Sequence, residues 1–272
     1  MANPDEYDVN VIAAPGLTAA NDPTAASLLL STCESRGDCI AIVDPVLYGS
    51  TITNAVAEAA SENNSYGAMY WPWIQLPSPQ TGKNVWVPAS VAMPGIYAFS
   101  DSVAAEWYAP AGLNRGGLDT AIRAERKLTH AMRDTLYEGK VNPIATFPGE
   151  GVVVWGQKTL QKKATALDRV NVRRLLINLK KFIASTSKYL VFENNTEATR
   201  NRFLATVNPY METVQQNNGL YAFKVVMDDT NNTPDVIDRN IMKGDIYLQP
   251  AKAAEFIIID FNIMPTGATF GE

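Results

Sequence analysis

The sequence is short of the residues on which most enzyme chemistry depends. Its 272 residues include one histidine, His130, and no serine lies in a nucleophile-elbow pattern. A Ser-His-Asp triad would have to be built on that single histidine. There is also no glycine-rich phosphate loop and no dinucleotide-binding fingerprint. The residue chemistry therefore favours a structural or interaction protein over an enzyme, and we predict no catalytic, cofactor-binding or metal-binding residue.

Cysteine and long apolar runs are scarce as well. Cys33 and Cys39 are the two cysteines, and their neighbourhood offers no further metal ligands. We predict reduced thiols in a cytoplasmic product, with a local bridge between the two as the alternative. No stretch reaches the roughly 18 apolar residues of a membrane helix. Residues 1–6 show neither the basic nor the apolar region of a secretory signal.

Charge is present but unevenly distributed along the chain. Residues 151–190 contain nine lysines and arginines against one acid, Asp168, although the whole chain has a net charge of −5. That segment carries +8, so the residues outside it carry −13. Such an asymmetry favours oriented contact with copies of the same chain or with an acidic partner.

Strands and helices alternate over the first half of the sequence. Strands are predicted at 7–14, 39–43 and 66–75, with helices at 24–36 (after Asp22-Pro23) and 51–62. This order is typical of a mostly parallel sheet with right-handed crossovers and helices on its faces. Further helices are predicted over 88–107, kinked at Pro94-Gly95, and over 120–138.

The second half has a different organisation. Residues 142–149 are rich in proline and glycine, and we interpret them as a linker between domains 1–141 and 142–272. The elements predicted after it are a strand at 151–155, helices at 168–188 and from Thr196, and strands at 221–227, 245–249 and 255–264. This order of elements predicts an α+β unit in which two helices pack on a small sheet.

The helix over 168–188 has the most informative pattern. Apolar residues recur at helical spacing between Val172 and Ile183, and basic residues lie off that stripe. The basic residues are Arg169, Arg173, Arg174, Lys180 and Lys181. We predict that some of them face an acidic surface of a neighbouring molecule, with a solvated face as the alternative. Nucleic acid is a poorer partner, because aromatics are not interleaved and the chain is acidic.

The last predicted strand is apolar on both faces in its first half and alternates in its second half. A strand near a chain end can complete its own sheet or pair with another molecule. We predict that 255–263 completes the C-terminal sheet and that residues after Pro265 reach a neighbour. The residues assigned to this strand and arm are Phe256, Ile258, Phe261, Ile263, Thr266 and Phe270.

Several blocks, in order, resemble the tail sheath proteins of contractile phage tails, especially the T4-like group. The first is Pro-Ala-Ser-Val-Ala-Met-Pro-Gly-Ile-Tyr-Ala-Phe-Ser-Asp at 88–101, followed by Trp-Tyr-Ala-Pro-Ala-Gly at 107–112. Ala105 stands where the family has a glycine. The others are 151–160, 169–175, 191–195 and 244–257. Together they cover nearly the whole chain.

The resemblance implies an incomplete subtilisin-like, three-layer α/β domain without protease activity, joined to the family's C-terminal sheath domain. It implies a structural subunit of the sheath that surrounds the tail tube and drives it by contraction during genome delivery, without nucleotide hydrolysis. The implied partners are other sheath subunits in a helical array, the tail tube protein, and the baseplate and tail terminator proteins. Neither nucleic acid nor membrane insertion is implied, and the implied location is the virion tail, assembled in the host cytoplasm.

Three points stay open at this stage. Family members are longer, so we expect the chain to be a C-terminal fragment without the N-terminal arm. The alternatives are a subtilisin-like hydrolase, active or degenerate, and the sheath of a phage-derived contractile injection system. A nucleic-acid-binding module is the third reading.

Overall fold

A five-stranded sheet organises the first part of the structure, a computed structural model that describes residues 3–257. Its strand order is β1-β2-β3-β7-β8. The strands are β1 (Val11–Thr18), β2 (Ile40–Asp44), β3 (Gly67–Trp71), β7 (Val141–Phe147) and β8 (Gly151–Val154). The first four are parallel and β8 runs antiparallel to β7. All residues of β2 and β3 are buried, as expected for central parallel strands, and the predicted mixed α/β class is confirmed.

Helices cover both faces of this sheet. They are α1 (Pro23–Arg36), α2 (Ile52–Ser61), α3 (Met93–Val103) and α4 (His130–Glu138). A Cβ added to Gly67 would come within 2.1 Å of Leu30 in α1. The Tyr70 hydroxyl lies 2.7 Å from the Tyr97 hydroxyl in α3. Because side chains alternate along β3, α1 and α3 lie on opposite faces.

Helix α1 follows the predicted boundaries. It begins after Asp22 with Pro23 in its first turn, and it ends at Gly37, whose φ is 70°. A left-handed backbone conformation at the position after a helix favours glycine, because glycine has no Cβ to clash. Cys33 and Cys39, which lie at the end of α1 and just before β2, are buried and unbridged.

The predicted linker is wrong. Residues 142–147 lie in β7, and residues 141–145 are buried. The Asn142 amide donates to the carbonyls of Met69 and Lys158, at 3.1 and 2.8 Å. Pro143 is tolerated because a proline removes only one donor, and its carbonyl still accepts from the Trp155 amide at 2.8 Å. Residues on both sides of the predicted boundary after 141 therefore belong to one sheet.

Two predicted helices are shorter than expected. Pro94 lies in the first turn of α3 instead of kinking a longer helix, because its fixed φ suits that position. Within 120–138 only α4 is helical, and the Thr129 hydroxyl accepts from the Met132 amide at its start. Three further strands of the first part, β4 (Ile74–Pro77), β5 (Asn84–Val87) and β6 (Arg123–Ala124), form a small antiparallel sheet in the order β5-β4-β6.

A second hydrophobic core lies between two long helices and a strand pair. The elements are α5 (Val170–Ser187), α6 (Glu197–Gln216), β9 (Leu220–Val226), the short α7 (Pro234–Asp238) and β10 (Asp245–Pro250). Strands β9 and β10 are antiparallel. The core residues include Leu175, Leu179, Phe203, Val207, Met211 and Val214. Both long helices and two of the three late strands match the prediction.

Helix α5 contributes to both cores. Val170 and Ile177 pack in the first core, whereas Leu175 and Leu179 pack in the second. We refer to residues 3–160 as the sheet unit and to residues 170–257 as the helical unit. No helix among residues 3–257 combines the length and apolar character needed to cross a membrane.

The predicted last strand is not seen in its described part. Residues 255–257 have no strand pairing, and Phe256 and Ile257 are 77% and 82% exposed. The prediction that a strand begins at 255 is therefore wrong, because the chain leaves the β9–β10 sheet after Pro250. The other residues assigned to the strand and arm, Ile258, Phe261, Ile263, Thr266 and Phe270, lie outside the described residues.

Candidate functional site

The basic residues of α5 turn towards the sheet unit. Arg174 is 3% exposed and donates two hydrogen bonds to the Asp101 carboxylate, at 2.8 and 2.6 Å. Its guanidinium lies 4.7 Å from the ring centroid of Tyr97. A paired, hydrogen-bonded charge can be buried, whereas an isolated one cannot. Arg174 therefore joins α5 to α3.

Arg173 makes the neighbouring contact. It is 4% exposed, donates to the Ser65 hydroxyl, and lies 4.0 Å above the ring of Tyr66. Burial lowers the pKa of Arg173, while the charge of Glu34 acts against this. Burial also acts to lower the pKa of Arg174, but the hydrogen bonds that Arg174 donates to Asp101 outweigh it and raise that pKa. Both guanidiniums stay charged, because arginine does not deprotonate in proteins.

The prediction of an exposed basic face is thus wrong for Arg173 and Arg174. Helical spacing shows which residues lie off the apolar stripe, but it does not show what packs against them. Their partners come from α3 and from the turn before β3, 73 and 108 positions away. Asp101 and Tyr97 lie within the first block that resembles sheath proteins, which is the one signal that could have singled them out.

Lys180 and Lys181 also have partners within the chain. Lys180 Nζ donates to the Tyr66 hydroxyl at 3.1 Å. Lys181 Nζ donates to the Asp8 carboxylate at 2.7 Å and to the Val9 carbonyl at 3.0 Å. The hydrogen bond and charge of Lys181 lower the pKa of Asp8. The role of these lysines at an intermolecular contact stays a prediction.

Arg169, at the start of α5, binds the end of the described chain. Its Nε and Nη2 donate to the Glu255 carboxylate at 2.6 and 2.9 Å, and Gln157 Nε2 donates to the same carboxylate at 3.2 Å. Burial acts to raise the pKa of Glu255, but hydrogen bonds from Arg169 and Tyr137 outweigh it and lower that pKa. Glu255 is therefore ionised at neutral pH. The acidic partners of Arg169 are thus in its own chain: Glu255 and the adjacent Asp168, which lies 2.9 Å from Nη1. The role of Arg169 at a contact with another molecule stays a prediction.

Lys158 lies beside this cluster. Its Nζ is 4.1 Å from the ring centroid of Tyr137 and donates to the Tyr137 carbonyl at 2.8 Å. Burial, together with the charges of Lys140 and Arg169, lowers its pKa to about 8. The cluster therefore concentrates cationic and aromatic groups where the two units meet.

The groups with catalytic potential are not gathered in one place. His130 is exposed on α4, and its Nδ1 lies 2.8 Å from Asp134. The Ser90 hydroxyl donates to Asp44 at 2.5 Å, and both residues are almost fully buried. Burial raises the pKa of Asp44 to about 6. Within the described residues, no group of three or more histidines, cysteines or acids could hold a metal ion.

The fold and this site define a class of protein: a two-core α/β scaffold whose units are joined by buried arginines. Comparison with known families refines that class. Residues 1–160 match the phage tail sheath protein central domain, and residues 162–264 match the phage tail sheath C-terminal domain. The chain belongs to the phage tail sheath family.

Two curated relatives show how much of a sheath protein the chain represents. The tail sheath protein of Vibrio phage KVP40 is 34% identical over 298 residues, covering 100% of this chain and 44% of that protein. The tail sheath protein of Enterobacteria phage T4 is 33% identical over 292 residues, with the same coverage of 100% and 44%. The chain therefore spans less than half the length of these relatives.

Solved structures of contractile assemblies share the fold. The PVC sheath complex of an extracellular contractile injection system, in its contracted state, superposes with a TM-score of 0.77 at 25% identity, covering 94% of this chain and 71% of that chain. The contracted helical sheath of the anti-feeding prophage superposes with a TM-score of 0.77 at 23% identity, covering 95% and 71%. Both units of the chain are included in these matches.

Proposed function

We propose that this chain is part of a structural subunit of a contractile tail sheath, which surrounds the tail tube and drives it by contraction without hydrolysing nucleotide. The observation that carries the proposal is the family match over both units, from residue 1 to 264. The two buried arginines support it, because a subunit that transmits force must move as one body. The sheath of a phage-derived contractile injection system remains the alternative.

The proposed partners are further copies of the chain in a helical array, the tail tube protein, and the baseplate and tail terminator proteins. The proposed location is the virion tail, with assembly in the host cytoplasm. Arg169, Lys180 and Lys181 stay in the proposal as residues near a tube or subunit contact, because each retains some exposure. Arg173 and Arg174 do not, since both are buried.

The small sheet of the helical unit is the proposed site of subunit contact. Among the described residues β9 pairs only with β10, so each strand has one edge without a strand partner. An isolated pair of strands is only marginally stable in water. Open edges accept extended segments from other molecules through backbone hydrogen bonds. We propose that arms of neighbouring subunits add here, and that the residues from Phe256 onwards supply one such arm.

For the sheet unit we propose the subtilisin-like, three-layer layout. Its support is the parallel β1-β2-β3-β7 order with helices on opposite faces. We also propose that the units divide near residue 161 instead of after 141, because β7 and β8 belong to the first sheet. Limited proteolysis tests this: cleavage is expected outside 142–147, and a dominant cut within that strand would contradict it.

Electron microscopy of the purified chain tests the assembly proposal. Rings or tubes that appear as protein concentration rises are expected if copies interact through open sheet edges. A species that remains monomeric at every concentration, by sedimentation as well as by microscopy, would contradict self-assembly of this part of the subunit.

A further inference from the structure

The segment after β10 takes a defined path back to the sheet unit. The Ala251 amide donates to the Gly219 carbonyl at 3.0 Å, which keeps the start of the segment beside β9. Residues 252–254 are exposed. Glu255 then reaches Arg169 and Gln157, which are 86 and 98 positions earlier in the chain. Of residues 252–257, Glu255 alone uses its side chain in a hydrogen bond or ion pair.

The contact at Glu255 has the geometry of a strong one. Arg169 binds both carboxylate oxygens, and charge-assisted bidentate pairs fix orientation as well as position. The side chains of Arg169 and Glu255 are only 26% and 16% exposed, so water screens the pair weakly. Gln157, which is 4% exposed, adds a donor from the link that follows β8.

A cavity of about 490 Å³, open to solvent, lies beside the contact between Arg169 and Glu255. It lies between residues 164–172 on one side and Lys252, Ala253, Glu255 and Phe256 on the other. The segment is therefore not packed along its length against residues 164–172, and residues 252–254, 256 and 257 are exposed. Its position depends on the anchor at Glu255 much more than on apolar contact.

We propose that Glu255, held by Arg169 and Gln157, is the anchor that sets the point and direction from which the chain leaves the subunit towards a neighbour. Phe256 and Ile257, directly after the anchor, are exposed and apolar, and the sequence continues with Ile258 and Ile259. Fixing the start of an arm lowers the ordering entropy that binding would otherwise cost. The inference rests on the proposed arm exchange, and Arg169, Gln157 and Glu255 act in it as positioning residues.

The anchor is tested first by a distance measurement that does not need assembly. Spin labels are placed on the whole chain through Ile257→Cys and Met132→Cys, both at exposed positions; the native cysteines are buried. We expect one narrow distance distribution, which broadens at least twofold in Glu255→Ala and in Arg169→Ala. The double variant that carries both changes should give a distribution of the same width as either single variant. Lys252→Ala, an exposed change in the same segment, is the matched control and should leave the distribution narrow.

Assembly is then compared by sedimentation over a concentration series. We expect Glu255→Ala to need at least tenfold more protein than the parent chain to associate, while Lys252→Ala matches the parent. An unchanged distance distribution in Glu255→Ala would overturn the anchor. A broadened distribution with normal association would overturn its positioning role. A parent chain that never associates would overturn the proposed function, while the distance data would still decide the anchor.

Discussion

The two units bury their strands to very different extents. In the sheet unit, β2 and β3 are buried along their whole length between helices. In the helical unit, most residues of β9 and β10 are partly or fully exposed, and Tyr221 and Tyr247 are 64% and 61% exposed. A parallel sheet covered on both faces completes its core within one chain. A two-stranded sheet does not, which is why we propose the helical unit as the place of contact between subunits.

The largest expected effect comes from the core of the sheet unit. Trp71 is fully buried in β3, so Trp71→Ala leaves a large cavity between the sheet and its helices. We expect the free energy of unfolding to fall by about 3–5 kcal/mol. Chemical denaturation monitored by circular dichroism measures this. A loss below about 1 kcal/mol would show that β3 is not tightly packed against the helices around Trp71.

The next effect concerns the link between the units. Arg174→Ala leaves Asp101 without its partner and removes the contact with Tyr97, so we expect a loss of about 3 kcal/mol. Calorimetry should then show the two units unfolding separately. The matched control is Arg239→Ala, which removes an exposed ion pair with Asp235 and should change stability by less than about 0.5 kcal/mol. A single sharp transition in Arg174→Ala would mean that apolar contacts of α5 suffice to couple the units.

Asp44 should make the sheet unit sensitive to pH. Its pKa is about 6 in the folded chain against 3.8 for the ordinary group, so the folded state keeps a proton that the unfolded state releases. Protonated Asp44 therefore adds at most about 3 kcal/mol to the free energy of unfolding. This contribution is fully present below about pH 4 and is lost as pH rises through 6.

Asp44→Asn isolates that contribution, because asparagine can still bond Ser90 but does not titrate. We expect the stability difference between variant and parent to change by up to about 3 kcal/mol between pH 4 and pH 7, in favour of the variant at the higher pH. Denaturation curves at a series of pH values measure it. Parallel pH profiles for the two proteins would rule out an elevated pKa at Asp44.

The smallest effect on stability is expected at the exposed face of β10. Tyr247→Ala removes little buried surface, so the free energy of unfolding should change by less than about 0.5 kcal/mol. Association of the chain should nevertheless weaken if this sheet is a subunit contact. Sedimentation compares the variant with Met132→Ala, a control at an exposed position of the sheet unit. If both variants associate equally well, the exposed face of β10 is not part of the subunit contact.

Local patterns in the sequence predicted the elements with strong signals. The start and end of α1, the Thr196 cap of α6 and the apolar stripe of α5 agree with the structure, because each depends on residues within a few turns. The prediction of a linker at 142–149 was wrong because the structure of this segment depends on contacts that are distant in sequence. Proline and glycine indicate a break in local regularity, but pairing with β3 and β8, which the residues themselves do not encode locally, makes 142–147 a strand.

The sequence by itself determined the alternation of strands and helices, the stripe that forms the second core, and the family resemblance. Only the tertiary structure decided what the charges on α5 do. Arg173 and Arg174 were expected at the surface, and they are buried because Tyr66, Tyr97 and Asp101 surround them. The pairing of Arg169 with Glu255 likewise joins residues 86 positions apart. Burial and pairing depend on which distant elements meet, and that outcome follows from the packing of the whole chain, not from spacing along it.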